Sequence, residues 1–312
     1  MPQWSAPPPP RRRGGTWLWV LLPATVLAVM VGYLVLTHQS GSSGDGTGDD
    51  DVTYVNEEYT VPGADQGPTT VVDPLDDPSV LDRNPFYAQT VPVPVRCEAD
   101  DVTDLSSTSQ LEERLSDLSE CLTRTFGPAL EDAGFEAFQP RVTVYQGEGG
   151  EGPCGELPRQ NAFFCAINQR IYFAQDLGDL VGKDLAAWDY VMAHEYAHNV
   201  QGRTGILVQR HYSARSAHSE AEALEVNRRL EVQADCLAGS FIRSGEHSLG
   251  YGASDRRRIV RTAERTGDDI AGDNSPGTHG RSANRVLWTE RGFEARTYED
   301  CNTFVAPEEE VR

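Results

Sequence analysis

The chain has 312 residues, 38% of them hydrophobic, and a formal net charge of −21. That length and apolar content suit one sizeable folded domain with appendages and exclude a wholly disordered chain. Phosphate recognition needs clustered Lys and Arg, so the charge excludes a nucleic-acid partner and predicts a solvated acidic shell.

Residues 1–16 form a Pro/Arg-rich tail that cannot fold by itself. The next twenty residues, "WLWVLLPATVLAVMVGYLVL" at 17–36, carry no charge. A helix of that length spans roughly the 30 Å hydrocarbon core of a bilayer, so one transmembrane helix is expected here. Arg11, Arg12 and Arg13 precede the run, whereas Asp45, Asp49, Asp50 and Asp51 follow it without any Lys or Arg. This asymmetry predicts a single-pass cell-membrane protein with a cytoplasmic N-terminus and its remaining residues outside. The run exceeds a usual signal-peptide core, and "THQSGSSG" offers no small-residue cleavage site, so an anchor is expected over a cleaved signal. Residues 37–80, rich in Gly, Ser, Asp and Pro, read as an acidic linker. The folded domain is expected over 81–306, with 307–312 as an acidic tail.

All six cysteines, Cys97, Cys121, Cys154, Cys165, Cys236 and Cys301, follow the apolar run. An even number outside the membrane reads as disulfides, with 15 possible pairings. Proximity suggests Cys97 with Cys121 and Cys154 with Cys165, leaving Cys236 with Cys301. A thiolate metal site is disfavoured because no pair has C-x-x-C spacing.

Within the domain, "SSTSQLEERLSDLSECLTRTF" repeats Leu at three-to-four spacing behind Ser and Thr caps and reads as an amphipathic helix. "RVTVYQ" and "QRIYFAQ" alternate and read as strands. Between them, Gln146–Gln160 is Gly/Glu-rich and a candidate flexible cover. "KDLAAWDYVMAHEYAHNVQG" and "SEAEALEVNRRLEVQADCLAGSFIRSG" are long helical stretches, followed by "DRRRIVRTAERTGDD" and "GRSANRVLWTERGFEA". The fold class is therefore α+β, mainly helical with a small sheet.

His194 and His198 lie four residues apart, with Glu195 between them. On a helix they share a face and can address one cation, while Glu195 sits about 100° around, able to reach water beside that cation. This is H-E-x-x-H, the arrangement of two zinc-holding histidines and a general base. The neighbours Val191, Met192, Ala193, Tyr196, Ala197 and Val200 predict a buried helix, where two unpartnered histidines would be costly. A catalytic zinc, one per chain, needs a third protein ligand. The extended motif that ends in a third His is excluded, because Gln201 and Thr204 stand where Gly and His would be required. "RRLEVQADCLAG" offers instead Glu231 as ligand, with Asp235 one turn on to accept a hydrogen bond from a ligating imidazole.

The blocks "CGELPRQNAFFCAINQRIYF", "VMAHEYAHNVQ", "RLEVQADCLAG" and "THGRSANRVLWTERGFE" occur in this order. On them the chain resembles the bacterial neutral zinc metallopeptidases, membrane-anchored envelope proteins. The resemblance implies a zincin-like, gluzincin-type domain with His194, His198 and Glu231 as zinc ligands and Glu195 as catalytic base. Asn199 departs from the family, which commonly has His there; on a regular helix that position faces away from the metal.

In gluzincin-like sites a histidine distant in sequence donates to the oxyanion. His279, in "SPGTHGRSANR", is the candidate for that role, with a capping or structural role as the other reading. His211 and His218 fall between the two motif helices and are expected on a loop, exposed or facing substrate. The expected function is a membrane-anchored zinc peptidase acting on proteins or peptides outside the membrane. The alternative is a zincin-shaped binding or scaffold protein of the cell envelope, and an intact Glu195 favours the first, since a purely structural site needs no base.

Overall fold

A computed structural model describes residues 52–63, 78–147, 150–270 and 277–312. The tail at 1–16 and the apolar run at 17–36 lie outside these residues, and among the described residues no helix is long and apolar enough to cross a membrane. Residues 53–312 form one unit of α+β architecture.

In chain order the elements are helix α1 (Thr108–Asp132), strands β1 (Arg141–Tyr145), β2 (Glu151–Gly152), β3 (Gly155–Glu156), β4 (Ala162–Cys165) and β5 (Arg170–Ala174), a short helix α2 (Gly178–Val181), and helices α3 (Leu185–Arg203), α4 (Ile206–Ser216), α5 (Glu220–Gly245), α6 (Ala253–Arg265) and α7 (Ser282–Glu294). Strands β1, β5 and β4 make a sheet in that order, β1 parallel and β4 antiparallel to β5. Central β5 is buried along nearly its whole length, as a strand covered on both faces must be.

Helix α3 carries His194, Glu195 and His198 through the middle of the domain. Asp184 caps it by accepting from the Ala186 N–H, and Gly205 at φ 80° turns the chain out of it into α4. It lies against α1, where Leu111, Leu115, Leu118 and Leu122 are fully buried, and the guanidinium of Arg114 pairs bidentately with the carboxylate of Asp189 at 3.0 and 2.6 Å. The closest helix contact joins α5 and α7. Gly239 and Gly292 meet there, and a Cβ on either would collide with a backbone carbonyl of the other helix, that of Thr289 or Cys236. This approach brings Asp235 of α5 within reach of Arg285 of α7.

Two boundaries differ from expectation. Part of the segment read as linker belongs to the domain. Pro128 lies inside α1 and has no N–H to give, so the Arg124 carbonyl is left over and accepts instead from Asn56 Nδ2 at 3.1 Å. Around it, Tyr54 is buried with its hydroxyl on His247 Nδ1, the Val55 N–H donates to the Pro94 carbonyl, and Arg96 pairs with Glu57. The acidic tail is likewise packed on α7. Val311 is fully buried, the Glu309 and Glu310 carbonyls accept from Asn284 and Trp288, and Glu310 pairs with Arg291. In both places a few apolar residues outweigh a polar composition.

The structure pairs Cys97 with Cys121, Cys154 with Cys165, and Cys236 with Cys301, leaving no free thiol. The segment read as a flexible cover holds the β2–β3 hairpin, which Cys154–Cys165 ties to β4. Cys236–Cys301 has a sequence separation of 65 residues and Cys154–Cys165 one of 11. By loop-closure entropy, replacing the first pair with alanines should cost about 4 kcal/mol and replacing the second about 3. Urea unfolding of the two double variants checks this, and a larger loss at Cys154–Cys165 would contradict it.

Candidate metal centre

Helix α3 is buried around the motif, and α5 packs across it. The Nε2 atoms of His194 and His198 lie 3.4 and 3.5 Å from Glu231 Oε2, with the two rings perpendicular. One donor atom from each of His194, His198 and Glu231 falls within 4.8 Å of the others, the only such group of three among the described residues. Two imidazole nitrogens and a carboxylate oxygen are a donor set that suits zinc and leaves an open coordination position.

Each imidazole is held from behind. His194 Nδ1 donates to Asp235 Oδ1 at 2.9 Å, so its Nε2 faces Glu231. Asp235 also accepts from Arg285 Nε and Nη2 at 2.9 and 2.8 Å and from the Tyr190 hydroxyl at 2.8 Å. His198 Nδ1 meets Gln201 Oε1 at 2.8 Å, and the Gln201 amide is pinned by donating to the Leu230 carbonyl and to Gln233. These partners orient the rings as second-layer groups orient metal ligands.

The charges follow from this packing. Burial opposes ionisation of Glu231, but His198 and His194 hold its carboxyl well below the usual range. Burial likewise opposes a charge on Asp235, and the Arg285 charge and the His194 hydrogen bond depress it below the ordinary carboxylate value. For His194, burial is outweighed by hydrogen bonds to Asp235 and Glu231, which raise it to about 10. In the metal-free site, therefore, Arg285 and the imidazoles together favour the ionised form of the two carboxylates.

Glu195 lies beside the cluster, not within it, and its Oε2 accepts from the Phe164 N–H of β4 at 3.0 Å. Asn199 is buried on another side of α3, donating to the Phe138 carbonyl. His279 lines the clefts on both sides of the cluster, its ring 52% exposed. Its backbone N–H donates to Asp268 Oδ2, and its ring Nδ1 is 3.0 Å from Thr278 Oγ1. His211 and His218 line neither cleft. The loop expected for His211 is a helix, α4, because the run from Ile206 buries Ile206 and Gln209 against its neighbours. His218 is exposed between α4 and α5, near Glu222.

Three positions that matter here escaped the sequence reading. Gln201 departs from the longer motif, yet it lies three residues from His198 on the same face. Tyr190 is four residues before His194, so the same helical rule could have found it. Arg285 comes from another helix, and no spacing rule reaches it.

Two clefts flank the cluster. One of about 570 Å³ runs past His194 and Glu195 and is walled by Leu177, Leu180, Val181, Val191 and Ile270. The other, of about 330 Å³, lies toward His198, α4 and Glu231. Strand β4 borders both. The Asn161 carbonyl accepts from the Ala174 N–H, so by antiparallel alternation Ala162 and Phe164 turn their backbone groups away from β5, toward the site.

Residues 95–304 match the family described as "Putative neutral zinc metallopeptidase". The uncharacterized protein YpfJ of Escherichia coli strain K12 is 32% identical over 195 residues, covering 58% of this chain and 67% of that protein. The uncharacterized protein Rv2575 of Mycobacterium tuberculosis strain H37Rv is 27% identical over 192 residues, covering 54% and 63% respectively. No solved structure matches.

Proposed function

The chain belongs to the neutral zinc metallopeptidase family, and from that premise we propose that it is a membrane-anchored, zinc-dependent peptidase that hydrolyses peptide bonds in proteins outside the membrane. The observation that carries the reading is the convergence of His194, His198 and Glu231 on one point with Glu195 beside it and open clefts on either side. On this reading the domain is zincin-like, of the gluzincin type. The anchor is 17–36, and three disulfides accord with an oxidising compartment outside the cytoplasm.

His194, His198 and Glu231 would hold the ion. Zinc bound there supplies a Lewis acid and lowers the pKa of water toward about 7. Glu195 takes a proton from the attacking water and returns it to the leaving amine; the Phe164 N–H fixes the position of its carboxylate. His279 donates to the carbonyl oxygen as negative charge develops there. An extended substrate lies along the open edge of β4, using the backbone groups of Ala162 and the carbonyl of Phe164. The larger cleft, walled by Leu180, Val181, Val191 and Ile270, takes an apolar side chain next to the scissile bond.

Elemental analysis of the purified full chain beside its Glu231→Ala variant tests the site. About one zinc per chain, lost in the variant, is expected. Zinc absent from the parent, or equal in both, would overturn the ligand set and favour a binding role.

A further inference from the structure

The smaller cleft has a chemistry of its own. Apart from imidazoles and the candidate ligand Glu231, its charged lining residues are Glu195 and Arg210. Around them stand Phe163, Phe164, Leu207 and Leu230. A guanidinium held among apolar side chains loses hydration and needs a compensating anion.

Arg210 has no such partner among the described residues. It is half-buried on α4, and burial pulls it below its ordinary value although the Glu231 charge acts the other way. Its Nη1 donates to Asn227 Oδ1 at 3.1 Å, whereas Nε is buried with no hydrogen bond. No described carboxylate comes within 4 Å of it, whereas Arg203 pairs with Glu136 and Arg229 with Glu225. One edge of the guanidinium is thus spent on tying α4 to α5. Nη2, which makes no hydrogen bond to a described residue, is left to meet a carboxylate.

We propose that Arg210 recognises a substrate carboxylate in this cleft, making the site selective for peptides with an acidic side chain, or a free C-terminus, on the side of the scissile bond that faces α4. The inference rests on the peptidase reading. The net charge of −21 repels acidic peptides at long range, so the selectivity has to be local.

The test uses the zinc-loaded full chain and internally quenched peptides that differ by Glu against Gln at each position around the scissile bond, with the C-terminus free or amidated. A ratio of kcat/KM of about 30 in favour of the carboxylate is expected at one position, from the strength of a charge-assisted hydrogen bond. Dependence on Glu identifies a side chain, and dependence on the free terminus identifies a chain end. In Arg210→Gln the ratio should collapse to about 1, with zinc content and melting temperature measured alongside to exclude misfolding. If that variant does not fold, Arg210→Lys carries the test, with the ratio expected to fall about tenfold because the shorter ammonium ends short of the Nη2 position. A ratio near 1 everywhere in the parent, or one that survives these substitutions, overturns the role of Arg210 and leaves the peptidase reading standing. If the parent cleaves none of the peptides, that reading fails instead, and fluorescence anisotropy of the Glu and Gln peptides decides for Arg210. Tighter binding of the Glu peptide, lost in Arg210→Gln, supports the inference, and equal binding overturns it.

Discussion

Replacing Glu195 with Gln should leave zinc in place and reduce turnover by about three orders of magnitude, the middle of the range that a general base contributes. The expectation follows from where the side chain stands. Its carboxylate accepts from the Phe164 N–H and does not belong to the group formed by His194, His198 and Glu231. A glutamine has the same shape, its carbonyl oxygen can keep the hydrogen bond to β4, and no metal donor is lost. What disappears is the ability to take a proton from water and pass it on. Steady-state cleavage of a quenched peptide, with zinc measured on the same sample, reads both quantities. Parent-like turnover would sink the assignment of Glu195, and loss of zinc with turnover would mean that it serves the metal.

Asp235→Asn should be the most damaging change outside the three candidate ligands. Asp235 is fully buried and receives hydrogen bonds from His194, Tyr190 and both edge nitrogens of Arg285, itself only 5% exposed. The amide removes the charge that Arg285 was buried against and turns a donor toward groups that are donors already. Breaking a buried pair in this way costs about 3 to 5 kcal/mol. The same change frees the His194 ring, so zinc affinity should fall by about 10- to 100-fold. Urea unfolding of the metal-free chain and a competition titration with a chelator measure the two effects separately.

The pH dependence has a definite sign. Despite burial, Arg285 and His194 hold the native Asp235 carboxyl below its ordinary value, which is about 3.9 in an unfolded chain. Its contribution to stability is therefore complete above about pH 4 and is lost as the pH falls toward the depressed native value. Metal-free parent should lose stability over that acid range, and Asp235→Asn should show a flatter curve there. Parallel curves would mean that Asp235 is not the group that makes the fold acid-sensitive.

Much of the domain could be read from local pattern. The three-to-four spacing of Leu111, Leu115, Leu118 and Leu122 marks α1, and alternation in "RVTVY" and "RIYFA" marks β1 and β5. Helical geometry alone puts His194 and His198 on one face, and Glu231 and Asp235 on another. Boundaries were less legible. Tyr54, Val55 and Asn56 sit in a stretch whose Asp, Pro and Thr content reads as tether, and what holds them is the burial of Tyr54 together with two hydrogen bonds, Val55 N–H to the Pro94 carbonyl and Asn56 Nδ2 to the Arg124 carbonyl that Pro128 leaves without a donor. The tail at 307–312 looks like solvated charge, yet its backbone carbonyls and Val311 are what α7 holds.

The sequence by itself determined the types of the main elements, the apolar run at 17–36, the two-histidine face with its neighbouring glutamate, and a second helix bearing a carboxylate pair, because each depends on spacings within one segment. Only the tertiary structure decided that Arg285 neutralises Asp235, that Gln201 is braced by Leu230 and Gln233, that β4 turns its edge to Glu195, and that one cleft is apolar while the other faces Arg210. Those facts depend on how closely helices approach, which is governed here by Gly239 against Gly292 and by packing among residues far apart in the chain. No period of 3.6 or 2 encodes that distance.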